Sequence, residues 1–428
     1  MIHRVMLHVK REMRRPSTGR QATAFGLLLL VPACVSAQAG PVRAFTGFTL
    51  IDGTARAPVP DAAMVVRDGR IITAGPARTV TIPAGAERIA LDGRFVIPGL
   101  INAHGHVNDA SRDLATYAAY GVTTVFSLGG EQPAVFAARD AQATPALDRA
   151  RVFVSGPVLS PASPDEARTL VASVAAQRID IVKIRVDDNL GTTQKMAPAV
   201  YGAVIDEAHR RGLRVAAHLF YLADAKALLR AGADFLAHSV RDADVDDELI
   251  GAMKAAGVCL SPTLMREVST FVYETTPDFF ADPLFLAHAN RDWMAALREP
   301  VRQEAMRTSA SAQRYKAALE VASRNVKRLA DAGVRIAMGT DTGPAGRFQG
   351  YFELMELELM VKAGLTPQQV IGAATRDAAR CMRVDADLGT LEPGKWADFV
   401  VLEASPLADI SNVRRIASVW IAGNAVAR

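Results

Sequence analysis

The chain has 428 residues, half of them hydrophobic, with 49 Lys and Arg against 45 Asp and Glu and a formal net charge of +4. Such a length can bury a large core. The positive balance points at first to nucleic acid or membrane, but Arg4, Lys10, Arg11, Arg14, Arg15 and Arg20 all precede residue 38, opposed there by Glu12 alone. The rest of the chain is close to neutral, so neither partner is expected.

Residues 1–37 place those cations before Phe25-Gly-Leu-Leu-Leu-Leu-Val-Pro-Ala-Cys-Val35 and a run of small residues. This is the three-part form of a secretory signal peptide, with cleavage expected after Val35-Ser-Ala37. The apolar run is shorter than the roughly 20 residues of a membrane-spanning helix. Met13 is a more typical start than Met1, and Pro32 disfavours Cys34 as a lipidation site. The reading is a soluble, exported protein, periplasmic or secreted, with no transmembrane segment. Cys259 and Cys381 remain after cleavage. Their pairing is not legible, and Cys259, in an apolar run, reads as a small buried hydrophobe.

Residues 43–98 alternate short apolar runs with turn signals at Asp52-Gly53, Asp68-Gly69 and Asp92-Gly93. Residues 386–428 read the same way, with Asp398-Phe-Val-Val-Leu402 and Val419-Trp-Ile-Ala422 as strands. The two pieces are expected to pair into one small β-sandwich domain. Between them, residues 99–385 alternate strand and helix signals. Strands are predicted ending near His106 and at 123–128, 151–156, 180–186, 214–219, 235–240, 258–264 and 335–341, with helices such as 197–211 and 223–231. This α/β alternation predicts a (β/α)8 TIM barrel. A doubly wound sheet lacks its Gly-rich phosphate turn here. A helical insertion, 266–332, carries Phe271, Phe279, Phe280, Phe285 and Trp293, more in keeping with a lid or partner surface than a linker.

The chemistry gathers at predicted strand ends, where active sites of such barrels lie. His104 and His106 close Val96-Ile-Pro-Gly-Leu-Ile-Asn-Ala-His-Gly-His106 and, two apart on a strand, face the same side. Lys183 sits inside the apolar Asp180-Ile-Val-Lys-Ile-Arg-Val186, where a buried ammonium is costly unless paired or modified. His218 closes Val215-Ala-Ala-His218, His238 closes Phe235-Leu-Ala-His238, and Asp341 closes Ile336-Ala-Met-Gly-Thr-Asp341. A lone histidine or Asp at a strand end is usually structural; six at one face point to metal. His209 and His288 read as surface or packing residues. Arg185, Tyr221 and Arg241 are candidate substrate-binding residues. Each arginine has a structural alternative, an ion pair with Asp187, Asp188 or Asp242.

The ordered set His-X-His, Lys, His, His, Asp resembles the two-metal members of the amidohydrolase superfamily. Gly339-Thr-Asp-Thr-Gly343, Ala363-Gly-Leu-Thr-Pro367 and Leu388-Gly-Thr-Leu-Glu-Pro-Gly-Lys-Trp-Ala-Asp398 are also similar to segments of that family. The likeness is strongest to imidazolonepropionase-like proteins and metal-dependent Xaa-Pro dipeptidases. It implies one divalent ion on His104, His106 and Asp341, a second on His218 and His238, and a carbamylated Lys183 bridging both. Zn²⁺ suits this set best, with Mn²⁺, Co²⁺ or Fe²⁺ compatible. It further implies Asp341 as catalytic base and acid, hydrolysing an amide C–N bond of a small molecule or short peptide.

The charged run Arg185-Val-Asp-Asp-Asn189 departs from the Ser/Gly-rich loop of the dipeptidase-like relatives, so proline-dipeptide specificity is not carried over. Deamination is disfavoured, because no glutamate follows His218 closely and Lys183 is present. A lactonase or phosphotriesterase on the same metals is the main alternative. A non-catalytic binding protein is disfavoured by the complete ligand set, and a homo-oligomer remains open.

Overall fold

The computed structural model describes residues 42–428; the leader and its cleavage point lie outside the described residues. Two runs of parallel strands carry the interior. Leu100–Gly105, Val122–Ser127 and Arg151–Val154 form one sheet, and Val182–Arg185, Val215–His218, Phe235–Ala237 and Cys259–Ser261 form another. Helices alternate with them, among them Ala110–Ala119, Pro164–Ala176, Pro198–Arg210, Leu222–Arg230 and Asp247–Ala256. The apolar, β-branched runs make strands because both faces are covered. Ile101, Ala103, Phe126, Ile181, Ala216, Phe235 and Cys259 pack into one inner cluster, consistent with two-residue alternation along each strand.

The eighth expected strand is a correction. Residues 335–341 form no regular strand; Ile336 makes one parallel bridge to Leu260. Ala337 N–H donates to Leu260 O at 2.8 Å, and Ala103 N–H donates to Met338 O at 2.8 Å. The segment is therefore hydrogen-bonded on both sides as far as Met338. A Cβ at Gly339 would stand 2.2 Å from Ser261 Oγ and 2.9 Å from His104 N, so a side chain there is excluded by close approach.

The terminal pieces share one mixed sheet of eight strands. Phe95–Pro98 pairs antiparallel with Phe399–Leu402, which pairs with Ile416–Ile421, while Arg43–Leu50 pairs with Val59–Arg67. Phe45, Phe48, Met64, Val96 and Phe399 fill its core. Arg151 ties this sheet to the parallel strands through Asp398, with Nε 2.7 Å from Oδ2 and both side chains buried.

The insertion is helical as expected, including Arg291–Arg298, Pro300–Thr308 and the long Ala310–Asp331. Tyr315 of the long helix packs on Phe220. Among the described residues, no helix is long and apolar enough to cross a membrane. Cys259 is buried as expected, and it forms with Cys381 a disulfide, the pairing the sequence left open. Their contact depends on helix Arg376–Met382 lying under the strand, which nothing local to either cysteine encodes.

Candidate metal centre

His104, His106, His218, His238 and Asp341 stand at or just past the C-terminal ends of their segments, while Lys183 lies inside Val182–Arg185, level with Ala216. His106 Nε2 lies 2.8 Å from Asp341 Oδ1, and His104 Nε2 lies 3.5 Å from the same oxygen. These three residues offer ligand atoms within 4.8 Å of one another, a group that can hold a metal ion. The His104 and His238 ring centroids are 4.6 Å apart, and those of His218 and His238 are 4.2 Å apart. Lys183 Nζ reaches His104 Nε2 at 3.3 Å. One buried cluster thus joins all six.

Three imidazoles have one nitrogen engaged and the other free for a ligand role. His106 Nδ1–H donates to Gly129 O at 3.1 Å, leaving Nε2 toward Asp341. His218 Nε2–H donates to Asp187 Oδ2 at 3.0 Å, leaving Nδ1. His238 Nδ1 pairs with Thr263 Oγ1 at 2.7 Å, leaving Nε2. Burial, then Lys183, holds His104 far below the usual imidazole range, and burial takes His218 to about 3. His238 is likewise held down by burial, then by His218 and His104. All three are neutral at pH 7, the form a metal requires. The set fits the divalent ions that the sequence suggests.

Burial alone raises Asp341, but Arg347, His106 and His104 outweigh it and hold the carboxyl well below its usual range. Lys183 is lowered by burial to about 7, with Asp341 pulling back. His238, Thr263 and Asp341 take positive φ of 78°, 51° and 60°. Such backbone costs about 1–3 kcal/mol per residue and persists where the surroundings enforce it.

Several positioning groups carried no signal in the sequence. Asp187 was visible only as a partner for Arg185, and it does accept Arg185 Nε at 2.9 Å while also orienting His218. Glu353, buried 13 residues past Thr340, accepts Asn102 Nδ2, Thr340 Oγ1 and Thr342 Oγ1, each at 2.6 Å. Asn102 in turn accepts the His104 N–H, so one carboxylate ties together the segments bearing His104 and Asp341. Arg347 Nη1 donates to Asp341 Oδ2 at 2.5 Å.

The candidate substrate residues separate. Arg185 is partly exposed but bonded to Asp187 and Asn189, and it lines a cavity of about 390 Å³ with Lys195, Met196 and Ser160. Tyr221 Oη donates to Asp188, with Lys195 over its ring. Arg241 is sealed from solvent, donating to Leu219 O and Ser239 O and paired with Glu267 at 3.1 Å rather than with Asp242. His209 pairs with Asp234 on the surface side, and His288 packs edge-on against Tyr120, both away from the cluster.

The sequence model of the Amidohydrolase family matches residues 95–426, which takes in every residue of the cluster. The chain belongs to the amidohydrolase family. It is similar to the imidazolonepropionase of Streptomyces coelicolor, 26% identical over 391 residues, covering 85% of this chain and 92% of that protein. Similarity to the ochratoxinase of Aspergillus niger is 27% over 281 residues, covering 63% of this chain and 51% of that one. Among solved structures, a candidate prolidase of Bifidobacterium longum superposes with a TM-score of 0.75 at 29% identity, covering 91% of this chain and 96% of the other. As a member of this family the protein is a metal-dependent hydrolase acting on carbon–nitrogen bonds.

Proposed function

We propose that this amidohydrolase is an exported two-metal enzyme that cleaves the amide bond of a small substrate such as a dipeptide or N-acyl amino acid. The observation that carries the reading is the convergence of four imidazoles, Lys183 and Asp341 in one buried cluster, three of the rings having a nitrogen committed elsewhere. His104, His106 and Asp341 would hold one ion and His218 with His238 the other, between them a carbamate on Lys183. The parallel strands and the 335–341 segment would close as a (β/α)8 barrel around them, flanked by the sheet of residues 43–98 and 386–428. When bound, the ions supply a water acidified to near neutrality and a polarised carbonyl.

The chain's own residues do the rest. The neutral form of the Lys183 amine, about half of it near pH 7, would attack CO₂ through Nζ and release one N–H proton to leave an anionic carbamate; starting from the ammonium, two protons leave in all. The Asp341 carboxylate takes the proton of the attacking water and returns it to the leaving nitrogen. Asp187 and Thr263 keep His218 and His238 in fixed orientation. Export is supported by the leader's composition and by the Cys259–Cys381 disulfide, a bond that persists in oxidising compartments.

The test is a hydrolysis panel on purified, metal-analysed protein. It holds Xaa-Pro and other dipeptides, N-acyl amino acids, lactones and a phosphotriester, each repeated with Asp341→Asn. Amide cleavage with two ions per chain, lost in the variant, is expected. Lactone or phosphotriester turnover with inert amides overturns the amide assignment in favour of that second activity.

A further inference from the structure

Four arginines surround the metal cluster, and they are not equivalent. Arg185 and Arg241 are committed as described. Arg266 is buried, with Nη1 on Glu267 and Nη2 on Tyr315 Oη at 3.2 Å. Its Nε has no hydrogen-bond partner among the described residues and lies 4.0 Å from Asp341 Oδ2. Arg347 approaches the same oxygen at 2.5 Å, and its side chain is 20% exposed. Two guanidinium groups therefore converge on one carboxylate oxygen.

The local charge count is uneven. Arg241 and Arg266 share Glu267, and Arg266 and Arg347 share Asp341, so three cations meet two anions. A surplus cation in a largely buried setting favours an anion from outside. Only Arg347, of these three, reaches solvent to meet one. Its position is built. The 343–347 turn is closed by Gly343 N–H to Arg347 O at 3.0 Å and Arg347 N–H to Pro344 O at 2.9 Å, and Tyr273 Oη holds Gly346 O. Ser269 Oγ accepts Nε at 3.1 Å, while Nη2 has no hydrogen-bond partner among the described residues.

In a dipeptide or an N-acyl amino acid the carboxylate carbon lies roughly 3–3.7 Å from the scissile carbonyl carbon, on the leaving-amine side. If Asp341 protonates that amine, the carboxylate falls beside Asp341, within reach of Arg347. We propose that Arg347 is the recognition site for the α-carboxylate of the leaving amino acid, with the field of Arg266 behind it. This assignment of substrate class rests on the amidohydrolase reading above. Arg185 is instead bonded to Asp187 and Asn189 and lines a separate cavity.

The test compares the best-cleaved acid of the panel with the same compound amidated at its carboxylate. In the unaltered enzyme the acid is preferred by roughly 30-fold or more in kcat/KM, the size of a charge-assisted contact. Arg347→Gln collapses that preference to within about threefold, Arg347→Lys keeps part of it, and Arg185→Gln retains it. Calorimetric binding of N-acetyl-L-alanine to the metal-analysed protein gives a second readout, weakened at least tenfold by Arg347→Gln. Arg347-dependent binding with no amide cleavage would sink the amidohydrolase reading and leave the anion site standing. Loss of preference in Arg185→Gln, equal turnover of acid and amide by the unaltered enzyme, or binding indifferent to Arg347 overturns the proposal.

Discussion

Replacing Lys183 with methionine keeps the length of an unbranched side chain but removes the amine that would become the bridge. The size of the effect follows from burial. Lys183 is 3% exposed, and burial lowers its amine to about 7 from an ordinary 10.5. At pH 7 about half of such amines are neutral, against roughly 1 in 3,000 at the ordinary value. Only the neutral form attacks CO₂, so the reactive fraction at this site is about 1,000-fold that of an exposed lysine. Its pH dependence has a definite sign: between about pH 6 and pH 8, at fixed dissolved CO₂, the neutral fraction climbs roughly tenfold. The assay is reconstitution of metal-free protein with Zn²⁺, with and without ¹³C-bicarbonate, reading ions per chain and the carbamate carbon by NMR. Two ions are expected with bicarbonate and fewer without, and Lys183→Met stays below two in either buffer. Two ions bound regardless of CO₂, or a loading rate that still rises steeply near pH 10, would refute the reasoning.

Asp187→Asn leaves His218 without its anionic partner; metal affinity should fall about 10- to 100-fold, measured by chelator competition, with the melting midpoint largely kept. The disulfide closes 122 residues of chain. The chain-entropy model puts its contribution near 5 kcal/mol at most, so the Cys259→Ala/Cys381→Ala double variant should lose about 2–4 kcal/mol in urea unfolding. Asp398 accepts both Arg151 Nε and the Ala422 N–H at 2.7 Å. Asp398→Ala leaves a buried guanidinium unpaired and should cost about 3–5 kcal/mol by the same measurement.

Much of this protein is written locally. The two-residue alternation that brings His104 and His106 to one side, the apolar runs before His218 and His238, and the helical periods of 198–210 and 222–230 all depend on neighbours a few residues away. The common polarity of parallel strands then brings those segments' ligand residues together, so the six-residue cluster was legible as a set. The groups that orient it were not. Glu353 meets Asn102 across 251 residues and Thr263 meets His238 across 25. Arg241 reaches Glu267, and Arg347 meets Asp341 only because a tight turn folds back on itself. The weakness of the 335–341 strand, the positive φ of His238 and Asp341, and the Cys259–Cys381 bond share one cause. Periodicity specifies which face of an element is apolar, and therefore which elements exist and where their ligands point. Which polar group fills the space beside a ligand is set by the distances between elements, and those exist only once the chain has packed.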